Sequence, residues 1–255
     1  MGKIICVANQ KGGVGKTTTA VNLGASIASF KRSTLVVDMD PQGNTTSGLG
    51  IDRHVLQKTV YHALISFCPM EDVILATASD YLSVAPSNAD LIGAEMELMD
   101  TDSREQHLKS SLSTVLNRYS YILIDCPPSL GLLTLNALTA AHSILIPIQC
   151  EFYAMEGVGQ LLKTISRVRQ SLNPSLTIEG FLLTMFDARN KLSHQVANEI
   201  YNYFKEEVFH TVIPRNVRLS EAPSFGQPIL LYDFTSKGCQ SYLSLAREII
   251  NNGGK

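Results

Sequence analysis

Gln10-Lys11-Gly12-Gly13-Val14-Gly15-Lys16-Thr17-Thr18 is the stretch on which the fold turns. Before it runs Ile4-Ile5-Cys6-Val7-Ala8, an apolar run of strand length; after it Thr19 to Ala28 carries apolar residues three and four apart, the spacing of a helix. Strand, glycine loop and helix in that order make an anion cradle. The loop turns its N–H groups inward, and the positive end of the helix faces whatever they enclose. A nucleotide's phosphates fit best, with Gly12, Gly13, Val14, Gly15 and Thr18 forming the cradle. Lys16 then reaches the β- and γ-phosphates and the Thr17 hydroxyl binds Mg²⁺. A glycine turn with an incidental lysine would need neither flanking element.

The loop departs from the usual G-x-x-x-x-G-K-[ST] pattern. Gln10 stands where the first glycine would be, and a second lysine, Lys11, follows it. A cation so early in the loop lies across the cradle from Lys16, so Lys11 is expected to point away from its own nucleotide.

The string Lys11-Gly12-Gly13-Val14-Gly15-Lys16-Thr17 resembles the deviant Walker A motif of the ParA/MinD/nitrogenase-iron-protein superfamily. The resemblance implies a homodimer when ATP is bound, with Lys11 crossing to the partner's phosphates. Such a lysine couples ATP hydrolysis to dimerisation, as an arginine finger does.

A chain of 255 residues, 45% hydrophobic and 17% charged, is long enough to bury a substantial core, and one domain spanning 1–255 is the simplest reading. A net charge of -2 leaves room for nucleic acid only at a local patch. Cys6, Cys68, Cys126, Cys150 and Cys239 show no C-x-x-C or Cys/His ligand spacing, as expected of reduced thiols in a cytoplasmic protein. Met1-Gly2-Lys3-Ile4 enters a strand at once, so no signal peptide is expected, and no apolar run reaches the length of a membrane span.

Further along, Thr34-Leu35-Val36-Val37 reads as a second buried strand leading into Asp38-Met39-Asp40-Pro41-Gln42-Gly43-Asn44. Carboxylates at the C-terminal end of a parallel strand lie where such sheets bind ligands. Asp38 is placed to hold the Mg²⁺ shell and Asp40 to orient or deprotonate the attacking water. D-x-D-P-Q-G-N is the next motif of the resembled family, and its second aspartate, here Asp40, is the one associated with hydrolysis. Tyr121-Ile122-Leu123-Ile124-Asp125-Cys126-Pro127-Pro128 ends a third hydrophobic strand in an aspartate. The family's D-x-P-P string fills this place, which makes Asp125 a metal-side carboxylate. No cysteine pair arranged like that of the nitrogenase iron protein is evident, so no iron–sulfur cluster is expected.

Weaker signals fill the rest. Tyr81 to Pro86, Ser143 to Ile148 and Ile178 to Met185 read as strands, with Val208 to Ile213 as an edge strand; one helix is expected from Arg104 to Arg118. Alternating strands and helices make an α/β fold, a doubly wound and mostly parallel β-sheet flanked by helices. The family likeness puts Glu151 and Glu156 at the dimer face, where they are either contacts or solvated acids. Pro214-Arg215-Asn216-Val217-Arg218 lies in a string that closely matches the chromosomal ParA (Soj-like) subgroup, which implies adenine contacts from Pro214 and Asn216.

Residues 187–255 carry 8 Lys/Arg against 7 Asp/Glu, while residues 1–186 carry 13 against 16, a split too mild to indicate DNA by itself. In the resembled family, however, Arg189 and Arg218 match DNA-contacting positions, with Arg215 as a lesser candidate. Arginines of this kind would hold double-stranded DNA phosphates without reading bases; the alternative is ordinary solvated surface.

The C-terminal helix has one arginine, Arg247, too few for the basic amphipathic tail of a membrane-cycling MinD-like protein. No helix-turn-helix extension is expected either. The resemblance therefore implies a partition ATPase: a dimer bound to the nucleoid with ATP, released when a ParB-like protein stimulates hydrolysis. A MinD-like positioning factor and a metabolic P-loop enzyme remain as alternatives.

Overall fold

In the computed structural model, which describes residues 2–151 and 154–252, seven strands form one sheet. In chain order they are β1 Lys3–Val7, β2 Thr34–Asp38, β3 Leu75–Ala76, β4 Leu82–Ala85, β5 Tyr121–Asp125, β6 Ser143–Gln149 and β7 Thr177–Thr184. Their spatial order is β3-β4-β2-β5-β1-β6-β7, and every pairing is parallel except β3 with β4 at the edge. This is the expected doubly wound α/β architecture.

The strands' alternation sorts the core into two layers. Ile4, Cys6, Leu35, Val37, Ile122, Ile124, Ile144 and Ile146 face one side, where Leu133, Leu161, Ile165 and Ile200 of three later helices cover them. Ile5, Val7, Val36, Leu123 and Leu145 face the other, against helix α1 (Lys16–Ser29) and the C-terminal helix Lys237–Asn252. Close packing of α1 depends on Gly24, where an added Cβ would lie 2.7 Å from Val36 Cγ2. The C-terminal helix buries Cys239, Tyr242, Leu245, Ala246 and Ile249 in this same layer, so its apolar face is covered by the protein itself. Among the described residues no helix is long and apolar enough to cross a membrane.

Two expectations need correction. Val208–Ile213 is not a strand. Phe209 and Ile213 donate their N–H groups to Phe181 and Leu183 of β7, but the Glu248 carboxylate takes those of His210 and Thr211 between them. A continuous ladder therefore cannot form, and only isolated bridges at Val208 and Pro214 remain. The helix expected from Arg104 to Arg118 is shorter, His107–Ser113, followed by a 3₁₀ turn at Leu116–Arg118. Asn136 fixes its start by accepting from Leu108 N–H and donating to the Arg104 carbonyl, and side-chain hydroxyls of Ser113 and Thr114 fold back onto carbonyls at its end.

Candidate functional site

Parallel register brings the sequence's separate signals to one edge. Asp38 pairs with Asp125 and Val7 pairs with Asp125, so β2, β5 and β1 end at one height. Beyond Val7 the chain turns through the glycine loop into α1, with Gly13 at φ 73° and Gly15 at φ 87°. Only glycine takes that conformation readily. The loop is buttressed from β7, where the Thr184 hydroxyl donates to the Val14 carbonyl at 2.9 Å.

A cavity of about 790 Å³ opens at this edge. Gly12, Gly13, Gly15, Lys16, Thr17 and Thr18 line one wall, Asp40 another, and Pro214, Arg215 and Asn216 a third. Lys16 is 7% exposed and its Nζ donates to the Lys11 carbonyl at 3.0 Å. Burial lowers its pKa, while the nearby charges of Asp125, Cys126 and Asp40 work in the opposite direction. Pro214 and Asn216 therefore share a cavity with the glycine loop, with Asn216 also capping the short helix Val217–Glu221 through Leu219 N–H.

The three aspartates differ in what they touch. Asp38 is fully buried, and its oxygens accept from Asp40 N–H, Thr46 N–H and the Thr46 hydroxyl at 3.1, 2.8 and 2.7 Å. Burial still pushes its pKa up to about 6, those hydrogen bonds opposing it. Asp125 accepts from the Thr45 hydroxyl at 2.7 Å through Oδ2, but its buried Oδ1 has no hydrogen-bond partner among the described residues. Burial first, and then the Asp38 charge, push its pKa up to about 7. Asp40, 8% exposed, has Oδ1 held by Gln42 N–H at 2.9 Å.

The Asp125 Oδ1, without a partner among the described residues, marks where a cation or its water would relieve a buried acceptor; Thr17 lines the cavity and its side chain helps hold the Asp125 pKa down. No group of three or more His, Cys, Asp or Glu side chains among the described residues could hold a metal alone. That donor set suits Mg²⁺, which is commonly held by one or two carboxylates together with substrate phosphates and water. With Asp38 already satisfied by Thr46 and Asp40, Asp125 is the stronger metal-side candidate.

Lys11 Nζ meets Glu151 Oε2 at 2.8 Å, and Glu151 also accepts from Gln149 Nε2. Glu151 is thus paired within the chain, while the Glu156 side chain lies outside the described residues. Arg189, its side chain 91% exposed, pairs with Asp187; Arg218 pairs with Glu221 and Asp233. Arg215 adds positive charge near Asp187, which joins it to Arg189 at the start of the loop after β7. Cys6 and Cys126 approach within 3.3 Å as free, hydrogen-bonded thiols.

Sequence reading missed the hydroxyls that organise the acids. Thr45 and Thr46 open helix α2 (Asn44–Gly48) and grip Asp125 and Asp38 respectively. A Thr-Thr pair seven and eight residues after the acidic strand end Asp38 was the available signal. Tyr242 was missed too: it lines the cavity while its buried hydroxyl meets the Thr19 hydroxyl at 3.2 Å, bringing the C-terminal helix into the site.

Residues 2–178 match the family model described as an AAA domain. Over 250 residues the chain is 58% identical to the chromosome partitioning protein ParA of Myxococcus xanthus, covering 98% of this chain and 88% of that protein. It is 56% identical over 253 residues to the sporulation initiation inhibitor protein Soj of Bacillus subtilis, covering 99% of this chain and all of that protein. Cobyrinic acid a,c-diamide synthase from Mycobacterium smegmatis, solved with bound ADP and magnesium, superposes with a TM-score of 0.89 at 37% identity, over 100% of this chain and 96% of that one.

Proposed function

Since this chain belongs to the ParA/Soj family of P-loop partitioning ATPases, we propose that it is a chromosome- or plasmid-partition switch whose ATP-bound homodimer binds double-stranded DNA without sequence preference. It is an ATPase that uses ATP and Mg²⁺. The observation that carries the reading is one cavity lined by the glycine loop, a buried Lys16 ammonium, Thr17 and Asp40, with the buried Asp125 carboxylate close enough to Lys16 to raise its pKa.

In this reading the loop's N–H groups and Lys16 hold the phosphates, with Pro214 and Asn216 beside the base. Thr17 and Asp125 hold the metal, and Asp38 acts one step back by fixing Thr46 and the start of α2. Bound Mg²⁺ would neutralise charge on the β- and γ-phosphates. Asp40 is tethered through Oδ1, so its other oxygen is available to orient the attacking water. Lys11 leaves Glu151 on dimerisation and meets the partner's γ-phosphate. A ParB-like protein accelerates hydrolysis, and the ADP form lets go of DNA. The protein would work in the cytoplasm, on the nucleoid.

Arg189, Arg215 and Arg218 supply the DNA contacts. The carboxylates now facing them restrain and orient the guanidiniums until phosphate displaces them. The test is retention of unrelated duplexes with ATP, with ADP and without nucleotide, at two salt concentrations, in wild type and Arg218→Ala. Salt-sensitive binding that requires ATP and is lost in the variant supports the switch; binding in no state removes its DNA half. The diamide synthase's name favours a second reading, a synthase whose ATP turnover depends on a carboxylic acid substrate. A rate that rises with such an acid and ignores DNA would select it.

A further inference from the structure

The opposite edge of the sheet, where β1, β2 and β5 begin, holds a second cavity of about 520 Å³ that the nucleotide chemistry leaves unused. Among the described residues its charged lining is cationic: Lys3, Arg32 and Arg118, with no carboxylate beside them. Lys3 is tied to Glu179 at 2.7 Å. Arg32 and Arg118 make no ion pair among the described residues, unlike Arg189 and Arg218 on the other edge. Tyr121 lines the same cavity, 9% exposed, and its hydroxyl has no hydrogen-bond partner among the described residues.

The two arginines are carried on loops fastened to each other. Ser120 N–H and Tyr121 N–H both donate to the Ser33 carbonyl, at 2.7 and 3.2 Å, and the Ser33 and Ser120 hydroxyls meet at 3.3 Å. Gly2 closes the floor, where any Cβ would sit 2.4 Å from the Tyr119 carbonyl oxygen. Burial first, and then the charges of Lys3 and Lys109, hold His142 below its usual pKa. At Tyr121 burial pushes the phenol's pKa up, Arg32 pulls it down, and Glu179, the ion-pair partner of Lys3, pushes it up.

We propose that this cavity is an anion site for a phosphate group, gripped by the forks of Arg32 and Arg118 with the Tyr121 hydroxyl as a third donor. Guanidinium forks match phosphate oxygens in pairs, and a phenol hydroxyl at the cavity supplies a directional donor. The volume leaves room for an organic group on the phosphate. Either a soluble phosphorylated metabolite or a phospholipid headgroup presents that chemistry. The site does not depend on the partition reading.

The experiment uses the full chain saturated with ADP and Mg²⁺, so that the glycine loop is filled. Inorganic phosphate is titrated by calorimetry into wild type, Tyr121→Phe and the double variant Arg32→Ala/Arg118→Ala, and each protein is also sedimented with phosphatidylglycerol vesicles. Saturable binding at one phosphate per chain is expected, weakened a few-fold in Tyr121→Phe and at least tenfold in the double variant, whose ATPase rate stays at the wild-type value. Pelleting of wild type but not the double variant identifies a headgroup as the source; phosphate binding without pelleting identifies a soluble phosphate. No saturable binding, or equal binding in the double variant, overturns the proposal.

Discussion

Replacing Asp125 by Asn should stabilise the nucleotide-free protein, and more so at high pH. The Asp125 carboxyl is fully buried, with one hydrogen bond from Thr45 and an unpartnered Oδ1, and its pKa is pushed from 3.8 up to about 7. A pKa raised on folding means that the native state binds the proton more tightly than the unfolded chain does. Stability is then greatest below the unfolded value and falls as pH rises from about 4 through the folded value near 7. Three pKa units correspond to about 4 kcal/mol at pH 8, of which about 2 kcal/mol persists at pH 5. Asn removes the charge and keeps the shape, and its carbonyl can still accept from Thr45. Urea unfolding without nucleotide or Mg²⁺, from pH 5 to 8, should show the variant more stable by several kcal/mol at pH 8 and by less at pH 5. The other ionisable groups are common to both proteins, so the difference isolates Asp125 and its coupling to Asp38. A variant less stable than wild type at pH 8, or a gap that does not change with pH, would mean that Asp125 is not held as a destabilising buried charge. The same variant should lose its additional stabilisation by Mg²⁺·ATP over ATP alone.

Thr46→Val removes a hydroxyl that donates to Asp38 and accepts from Ser87 N–H, leaving a buried charge short of a partner and an amide with none. It should lower unfolding free energy by about 2–4 kcal/mol, read from urea midpoints. Tyr242→Phe strands the buried Thr19 hydroxyl and should cost about 1–2 kcal/mol in the same assay, with far-UV circular dichroism unchanged. Gly24→Ala forces a methyl to 2.7 Å from Val36 Cγ2; overpacking of about 1–3 kcal/mol should exceed the roughly 1 kcal/mol gained in helix propensity, so the thermal midpoint falls.

The parallel sheet was legible because β1, β2, β5 and β6 are short, continuous apolar runs, the pattern left by burial on both faces. The glycine loop and the strand-end aspartates were legible because local spacing places them, and register then aligned Asp38 with Asp125. Contacts across long separations were not. Thr45 meets Asp125 80 residues away and Lys11 meets Glu151 140 residues away, which no local pattern encodes. Val208–Ile213 failed as a strand for the same reason, since the acceptor that takes its N–H groups is Glu248, on the last helix. The two-residue strand β3 is too short to carry a period.

In the proposed switch each hydrolytic site is built from two subunits, Asp40 from one and Lys11 from the other. Mixing Lys11→Ala with Asp40→Ala tests it directly. Each variant alone should be inactive. In an equimolar mixture, heterodimers contain one site with both groups, so ATPase activity should return to about a quarter of the wild-type rate if pairing is random. If the two residues serve the same subunit, no heterodimer has an intact site. A mixture as inactive as its components, with ATP-dependent heterodimers demonstrably formed, would contradict the account.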